Sequence, residues 1–296
     1  MKISAETQYL RRRFGEKNAI RILAEAGFDC VDYSMDHMSK DDSPLNGPSY
    51  REYAEELRQY GESLGITFNQ AHAPFEFDWD KEGVLENVAI PRIARCLEVA
   101  AILGIDTVIV HPLHHWNYFH NMQFVWDQNM AFYQALLPYA KEYGVTICLE
   151  NLIQFDSRGV ALPDTCADAN RYIKALETLN DPHIAACVDV GHTCLLGEDP
   201  ADLIRALGHD RLRALHIHDN SAVLDDHTLP YLGKINWNNL AKALADIDYG
   251  GVFTFEAFMF YDNFEDDFLP TAARWIYEMG VYLCNKIEAF RAERMR

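Results

Sequence analysis

The chain repeats one local pattern eight times: a short apolar run, a polar loop, and then a stretch with the spacing of an amphipathic helix. Short runs rich in β-branched residues predict strands, and the stretches between them predict helices. The predicted strands span residues 2–7, 29–34, 66–72, 106–111, 145–150, 184–190, 212–218 and 251–257. Strands joined through helices pair in parallel by right-handed crossovers, and eight such units close into a barrel. The sequence therefore predicts an α/β fold of the (β/α)8 type.

Glycines mark the boundaries of these units. Gly27, Gly65, Gly104 and Gly144 each stand between a helical pattern and the next strand, where glycine commonly ends a helix. An open doubly wound sheet is the main alternative, but no GxGxxG or GxxxxGK[ST] loop follows the first strand. Since barrels of this type have about 250 residues, we expect one TIM-barrel domain over residues 1–296.

Composition limits the class of ligand. The formal net charge of -19 and the isoelectric point near 4.9 repel DNA and RNA, so a small-molecule substrate is expected and a nucleic acid is not. The seven cysteines are odd in number and lack CxxC spacing, which favours reduced thiols. The chain does not begin with a signal-peptide core, and no apolar run of about 18 residues follows. We expect a cytoplasmic protein without a membrane partner.

Carboxylates and an imidazole end the last four predicted strands. Glu150, Asp189, His216 and Glu256 each lie at or beside the last residue of an apolar run. In a barrel the C-terminal ends of the strands meet at one face, where active sites form. No basic residue occupies the matching strand ends, and buried carboxylates without a basic partner require a cation. These ligands predict one divalent metal ion, with Mn²⁺ the first choice and Mg²⁺, Co²⁺ or Zn²⁺ as alternatives.

Several segments together resemble one family. They are HAP, VIVHP, CLEN, VDVGHT, HIHDN, the Asp226-His227 pair followed by YLGKINW, and TFEAF. Together they resemble the xylose-isomerase-like TIM-barrel superfamily, which includes sugar phosphate isomerases and epimerases, ketose 3-epimerases, inosose dehydratases and the endonuclease IV enzymes. The resemblance spans nearly the whole chain and is specific for the superfamily rather than for one reaction.

The resemblance implies a ligand set and a reaction. In the ketose-epimerase branch one divalent metal is held by residues that match Glu150, Asp189, His216 and Glu256. The two glutamates are implied as the catalytic acid and base, which move a proton next to a carbonyl through an enediolate. We therefore expect an isomerase or epimerase for a sugar, sugar phosphate or cyclitol, assembled as a homodimer or homotetramer. A metal-dependent lyase or dehydratase is the first alternative, followed by an endonuclease IV-like nuclease and a non-catalytic carbohydrate-binding barrel.

The seventh predicted strand offers two histidines. His216 and His218 alternate with Ile217, so both side chains could face the barrel interior. The spacing from His216 to Asp219 matches the His-x-x-Asp pattern of the family. That match makes His216 the implied metal ligand and His218 a packed or supporting residue.

Further residues are expected to contact the substrate. They are His72, His111, Trp116, Asp156, His192, Asp219 and His227. Trp116 is the best candidate for stacking on a sugar ring, and Asp156 lies where ketose 3-epimerases carry a glutamate. Several of these histidines also match zinc positions of the nuclease, so the ligands alone do not separate the two reactions. Ketose 3-epimerases carry an arginine six residues after the metal histidine, but this chain has Ala222 there, which weakens that particular assignment.

Overall fold

A computed structural model describes residues 1–114 and 117–294. The strands are β1 (Ile3–Glu6), β2 (Cys30–Ser34), β3 (Thr67–His72), β4 (Thr107–Ile109), β5 (Thr146–Glu150), β6 (Ile153–Phe155), β7 (Ala161–Pro163), β8 (Ile184–Asp189), β9 (Leu212–His216) and β10 (Phe253–Phe255). Eight of them pair in parallel in the order β10-β1-β2-β3-β4-β5-β8-β9. A bridge between Ile217 and Phe255 joins the end of β9 to β10 and closes the barrel. The predicted (β/α)8 barrel is confirmed.

Helices cover the outside of the barrel. They are α1 (Gln8–Phe14), α2 (Glu16–Ala26), α3 (Tyr50–Ser63), α4 (Ile90–Leu103), α5 (Tyr118–Tyr143), α6 (Ala169–Leu179), α7 (Val190–Leu195), α8 (Pro200–Arg211), α9 (Trp237–Asp246) and α10 (Leu269–Arg294). Gly27, Gly104 and Gly144 end helices in the left-handed conformation, as predicted. Within residues 1–114 and 117–294, no helix has both the length and the apolar character needed to cross a membrane.

An antiparallel hairpin, which the sequence did not predict, follows β5. Its strands are β6 and β7, and Ile153 pairs with Pro163. Each strand has three residues, which is too short for an alternating pattern to be recognised. The hairpin lies directly after Glu150 and therefore borders the C-terminal face of the barrel.

The interior of the barrel is filled in two different ways. Near β4, β5, β8 and β9 lies a small apolar cluster, separate from the main core, of Ile109, Cys148, Ala185, Cys187 and Ala214. Near β1, β2, β3 and β10 the buried positions are polar and include Ser4, Asp32, Gln70 and Thr254. The seven cysteines are buried and free. The main core fills the space between the barrel and its helices, because alternate strand residues face outward.

A glycine allows the last helix to approach the barrel closely. Gly280 is buried inside α10. A Cβ atom at Gly280 would lie 2.7 Å from Cγ2 of Ile3 and 2.8 Å from Cε2 of Phe255. Glycine inside a helix costs about 1 kcal/mol relative to alanine, so its presence here is explained by the contact with β1 and β10.

Replacing Gly280 with valine should lower the free energy of unfolding by about 1–3 kcal/mol, because the added atoms overpack a filled core. Urea denaturation measures this change. Gly250→Ala is the control, since a Cβ there meets no atom within 4 Å, and it should change the stability by about 0.5 kcal/mol or less. An unchanged stability of Gly280→Val would show that α10 is free to move away from β1.

Candidate active site

The four predicted metal ligands meet at the C-terminal end of the barrel. Glu150 ends β5, Asp189 ends β8, His216 ends β9, and Glu256 directly follows β10. Their ligand atoms all lie within 4.8 Å of one another. The first three residues are at most 1% exposed, whereas the side chain of Glu256 is 15% exposed. We call these four residues the quartet.

Short contacts link the members of the quartet to each other and to one neighbour. Nδ1 of His216 lies 3.0 Å from Oε1 of Glu150 and 3.4 Å from Oε2 of Glu256. Nε2 of His218 lies 3.0 Å from both carboxylate oxygens of Asp189. The quartet thus gathers three carboxylates around one imidazole, a donor set that suits a divalent cation.

The two glutamates have opposite electrostatic environments. Burial raises the pKa of Glu256 above its ordinary value, and the imidazoles of His216 and His227 offset only part of that effect. Burial also acts on Glu150, but the imidazoles of His216 and His111 hold its pKa well below the ordinary value. Carboxyl groups whose environments push their pKa values apart are typical of an acid–base pair.

Two histidines extend the site next to Glu150. His72 ends β3 and His111 follows β4. Their Nε2 atoms lie 3.0 Å apart, and Nε2 of His111 is 3.0 Å from Oε2 of Glu150. Burial lowers the pKa of His111 to about 3, so this ring is neutral. The three residues form a second group with ligand atoms within 4.8 Å of one another.

A third group of possible ligands joins His192, Asp225 and His227. Oδ2 of Asp225 lies 3.2 Å from Nε2 of His227 and 3.6 Å from Nε2 of His192. This corrects the pairing read from the sequence, which placed Asp226 with His227. Asp226 instead accepts a hydrogen bond from the backbone N–H of Ser221. His227 has a positive φ of 36°, so the pairing depends on the local path of this loop rather than on adjacency in the sequence.

Comparison with known proteins identifies the family. Residues 20–279 match the family model of the xylose isomerase-like TIM barrel. The chain belongs to this family. It is 26% identical over 249 residues to an uncharacterised protein of Sinorhizobium fredii, across 80% of this chain and 68% of that protein. It is 28% identical over 168 residues to the fructoselysine 3-epimerase of Escherichia coli O157:H7, across 57% of this chain and 54% of the enzyme.

Solved structures of sugar epimerases share the fold of this xylose isomerase-like barrel. The D-psicose 3-epimerase of Clostridium cellulolyticum H10, solved with D-tagatose, gives a TM-score of 0.74 at 18% identity and covers 96% of this chain and 99% of that one. An L-ribulose 3-epimerase gives a TM-score of 0.72 at 18% identity, across 99% and 97% of the two chains. By contrast, the sequence alignment spans about half the length of fructoselysine 3-epimerase.

In this xylose isomerase-like barrel, a glycine makes room for His218. A Cβ atom on Gly191 would overlap the ring of His218. That ring stacks on the ring of His227, with centroids 3.8 Å apart, and reaches Asp189 with Nε2. The glycine of the VDVGHT segment therefore lets His218 support a member of the quartet.

Asp219 holds a loop, in place of the predicted contact with substrate. Its side chain is fully buried. Its carboxylate accepts hydrogen bonds from the backbone N–H groups of Tyr231 and Ile235, at 3.0 and 3.1 Å, and from Nε1 of Trp237 at 2.7 Å. Because both oxygens are used in this way, Asp219 fixes the loop between β9 and α9.

The other predicted contacts lie away from the quartet or outside the described residues. Asp156 lies at the turn of the β6–β7 hairpin, where Oδ1 accepts hydrogen bonds from the backbone N–H groups of Arg158 and Val160, at 2.8 and 2.9 Å. Trp116 falls outside the described residues.

Two acidic residues of the site were missed by the sequence reasoning. Glu6 ends β1, Asp32 lies in β2, and both line a cavity of about 220 Å³ together with Glu256. Burial raises the pKa of Glu6 to about 8 and also raises the pKa of Asp32. Both residues lie near the ends of predicted strands, at 2–7 and 29–34. The criterion that predicted the quartet, a polar residue near a strand end, therefore also applies to Glu6 and Asp32.

Replacing Asp219 with alanine should lower the free energy of unfolding by about 3 kcal/mol or more, because four donors, on Asn220, Tyr231, Ile235 and Trp237, lose their acceptor. Urea denaturation measures the loss. Asp156→Ala is the matched control, since this aspartate also accepts backbone N–H groups but in an exposed turn, and it should cost about 1 kcal/mol. Loss of activity in Asp219→Ala with unchanged stability would instead support a contact with the substrate.

Proposed function

We propose that this chain is a metal-dependent sugar isomerase or epimerase that moves a proton at a carbon next to a carbonyl group. The buried quartet is the main support, because it places two glutamates, from the ends of β5 and β10, around one imidazole. Fructoselysine 3-epimerase and D-psicose 3-epimerase are among the proteins to which the chain is similar, and both are sugar epimerases.

The quartet has the donors that a divalent metal requires. The ion would be held by Glu150, Asp189, His216 and Glu256, with Mn²⁺ the first choice and Mg²⁺, Co²⁺ or Zn²⁺ as alternatives. The chemistry that such an ion supplies is polarisation of a carbonyl oxygen, which acidifies the neighbouring C–H group. Among the described residues, the lining of the 220 Å³ cavity contains no lysine or arginine, so imidazoles are the protein groups there that can offset the charge of the carboxylates.

Glu256 and Glu150 are suited to different parts of the proton transfer. The partly exposed side chain of Glu256 lines the cavity, and its raised pKa brings it closer to neutral pH, where proton exchange is efficient. Glu150 is 1% exposed and is ionised in the resting site. In this proposal Glu150 first takes up a proton from solvent. Glu256 then removes the proton from one side of the substrate and becomes protonated, while Glu150 delivers its own proton to the other side, which inverts the carbon centre.

The charge of the cavity favours a sugar without a phosphate group. Its lining includes the carboxyl groups of Glu6 and Asp32 but, within the described part of the chain, no lysine or arginine. The arginines nearest in sequence to the end of β1 are Arg11 and Arg12 of α1. Both form ion pairs with Asp36 and are not available to a phosphate. Their Nη2 atoms lie 2.5 and 2.8 Å from the carboxylate of Asp36. A phosphate would therefore enter a site rich in carboxyl groups whose described lining contains no lysine or arginine to bind it.

Glu256→Gln should lower the rate of proton exchange by about 10²–10⁴-fold, because glutamine cannot accept the proton. Proton NMR in D₂O measures this rate through the loss of C–H signals in ketoses, keto-sugar phosphates and inososes incubated with metal-loaded protein. Glu278→Gln, on an exposed position of α10, is the control and should exchange like the wild type. Unchanged exchange by Glu256→Gln at equal metal content would reject Glu256 as the base.

The products of the same incubation separate the isomerase from the lyase. An isomerase or epimerase conserves every atom of the sugar and yields an isomer of equal mass in H₂O. A lyase or dehydratase removes the same proton but then expels water or another leaving group, which lowers the mass of the product. Mass spectrometry of the products after incubation in H₂O therefore assigns the reaction class once exchange has been seen.

An endonuclease IV-like activity is the second candidate, because two of the further groups of possible ligands contain histidines that match the nuclease. The groups consist of His72 and His111 with Glu150, and of His192 and His227 with Asp225. These histidines are the ones for which the family resemblance implies zinc positions in the nuclease. The net charge of -19 opposes DNA binding, which favours the sugar enzyme.

Metal content and strand cleavage separate the two candidates. We expect metal-saturated protein to retain one ion per chain after gel filtration, by elemental analysis, and to leave a duplex with an abasic site uncut. Asp225→Asn alters the third group without changing the quartet, so the same content is expected. Two or three ions per chain, together with cleavage that Asp225→Asn removes, would establish the nuclease in place of the sugar enzyme.

A further inference from the structure

The two ring nitrogens of His216 have different surroundings. Nδ1 faces Glu150 and Glu256, at 3.0 and 3.4 Å. Nε2 lies 3.7 Å from Oδ2 of Asp32 and has no hydrogen-bond partner among the described residues. His216 is fully buried and Asp32 is 1% exposed, so water screens their interaction only weakly. One nitrogen therefore belongs to the quartet, and the other faces a single carboxylate.

A line of hydrogen bonds through the barrel interior ends on Asp32. The hydroxyl of Ser4 donates to Oδ1 of Asn69 at 2.7 Å, and Nδ2 of Asn69 donates to Oγ1 of Thr254 at 3.2 Å. Thr254 donates to Oε1 of Gln70 at 3.2 Å, and Nε2 of Gln70 donates to Oδ2 of Asp32 at 2.9 Å. Each donor is directed towards Asp32, so the bonds reinforce one another and fix that carboxylate as the final acceptor.

Asp32 retains unused capacity to accept a hydrogen bond. Its Oδ1 is buried and has no partner in the described part of the chain. Oδ2, the oxygen that lies 3.7 Å from Nε2 of His216, accepts from Gln70, and a carboxylate oxygen has capacity for a second donor. The other polar neighbour of His216 is the thiol of Cys187, which is a weak donor and acceptor.

The position of the imidazole proton decides what Nδ1 can bind. A neutral histidine carries one ring proton, and the hydrogen bond made by one nitrogen determines whether the other keeps a free lone pair. A carboxylate beside Nε2 places the proton on Nε2. It therefore leaves the lone pair of Nδ1 directed at Glu150 and Glu256, where a metal ligand is needed.

We propose that Asp32 is a positioning residue for the quartet: it accepts the Nε2–H group of His216 and thereby holds Nδ1 ready to bind a divalent metal. Gln70 in turn holds Asp32. The inference rests on the proposed function in one respect, since the quartet must bind a divalent ion, and it is independent of the identity of the sugar. Carboxylates in this role typically raise metal affinity 10–100-fold.

The test is the affinity for Mn²⁺, measured by competition with a chelator. Asp32→Asn keeps the size of the side chain but removes the carboxylate, and it should weaken binding about 10–100-fold. Glu6→Gln is the matched control, because Glu6 is also a buried acid that lines the same cavity but pairs with the backbone N–H of Gln8. Its affinity should stay within about threefold of the wild type. Gln70→Ala should lower the affinity in the same direction as Asp32→Asn, but by less.

A spectroscopic measurement distinguishes positioning from a general loss of structure. In Zn²⁺-loaded protein with ¹⁵N-labelled histidine, long-range ¹H–¹⁵N spectra should show one ring with metal-bound Nδ1 and protonated Nε2. The Nε2–H signal should move upfield in Asp32→Asn and stay in place in Glu6→Gln, with thermal unfolding confirming that both variants are folded.

Three outcomes would overturn the proposal. Unchanged affinity in Asp32→Asn would show that Asp32 does not position His216. An equal loss in Glu6→Gln would assign the effect to the number of buried acids rather than to the contact with His216. Wild-type protein that binds no Mn²⁺ would reject the proposed function as well, whereas the first two results reject only the role of Asp32.

Discussion

Three carboxylates held at one buried point, with no lysine or arginine of the described chain beside them, constrain the rest of this structure. Glu150 and Asp189 are almost completely enclosed, and each reaches imidazoles as its nearest positive groups. Removing such charges from water costs several kcal/mol per ion, and the rigid barrel prevents the strand ends from separating to let water in. The histidines at neighbouring strand ends, and the cation that the quartet is suited to hold, offset that cost.

The barrel interior is organised around the same constraint. The apolar cluster that includes Cys148 and Cys187 fills the interior near β5 and β8. It forms a packed apolar layer beneath Glu150 and Asp189. The interior near β1, β3 and β10 is instead hydrogen-bonded, and Gln70 connects it to Asp32. A hydrogen-bonded interior fixes the direction of each side chain more narrowly than an apolar one does. The polar half therefore lies beside His216, whose ring orientation decides which nitrogen faces the quartet.

The sequence predicted those features that depend on strand period and position. The barrel and the quartet were predictable because each ligand ends a recognisable strand, and the barrel brings those ends together. The Asp225–His227 contact and the role of Asp219 were not, because both depend on the path of a loop without periodicity. Asp219 has the spacing of a site residue, but its carboxylate accepts hydrogen bonds from Tyr231, Ile235 and Trp237. No alternating pattern in the sequence encodes such long-range hydrogen bonds between loop residues.

Three of the groups of possible ligands, namely the quartet, the His72 group and the Asp225 group, differ in how far their imidazoles can offset the charge of their carboxylates. Asp225 lies between two imidazoles, and the pKa of His227 is raised to about 9 by the Asp225 carboxylate acting against burial, so that group forms an ion pair without a metal. The group that joins His72 and His111 to Glu150 likewise contains two imidazoles and one carboxylate. The quartet has three carboxylates but only one imidazole, that of His216. Even with His216 protonated, three ionised carboxylates would leave the group with a net negative charge. This excess of carboxylates supports the proposal of one ion at the quartet, and with it the proposal of a single-metal sugar enzyme over a nuclease with ions at all three groups.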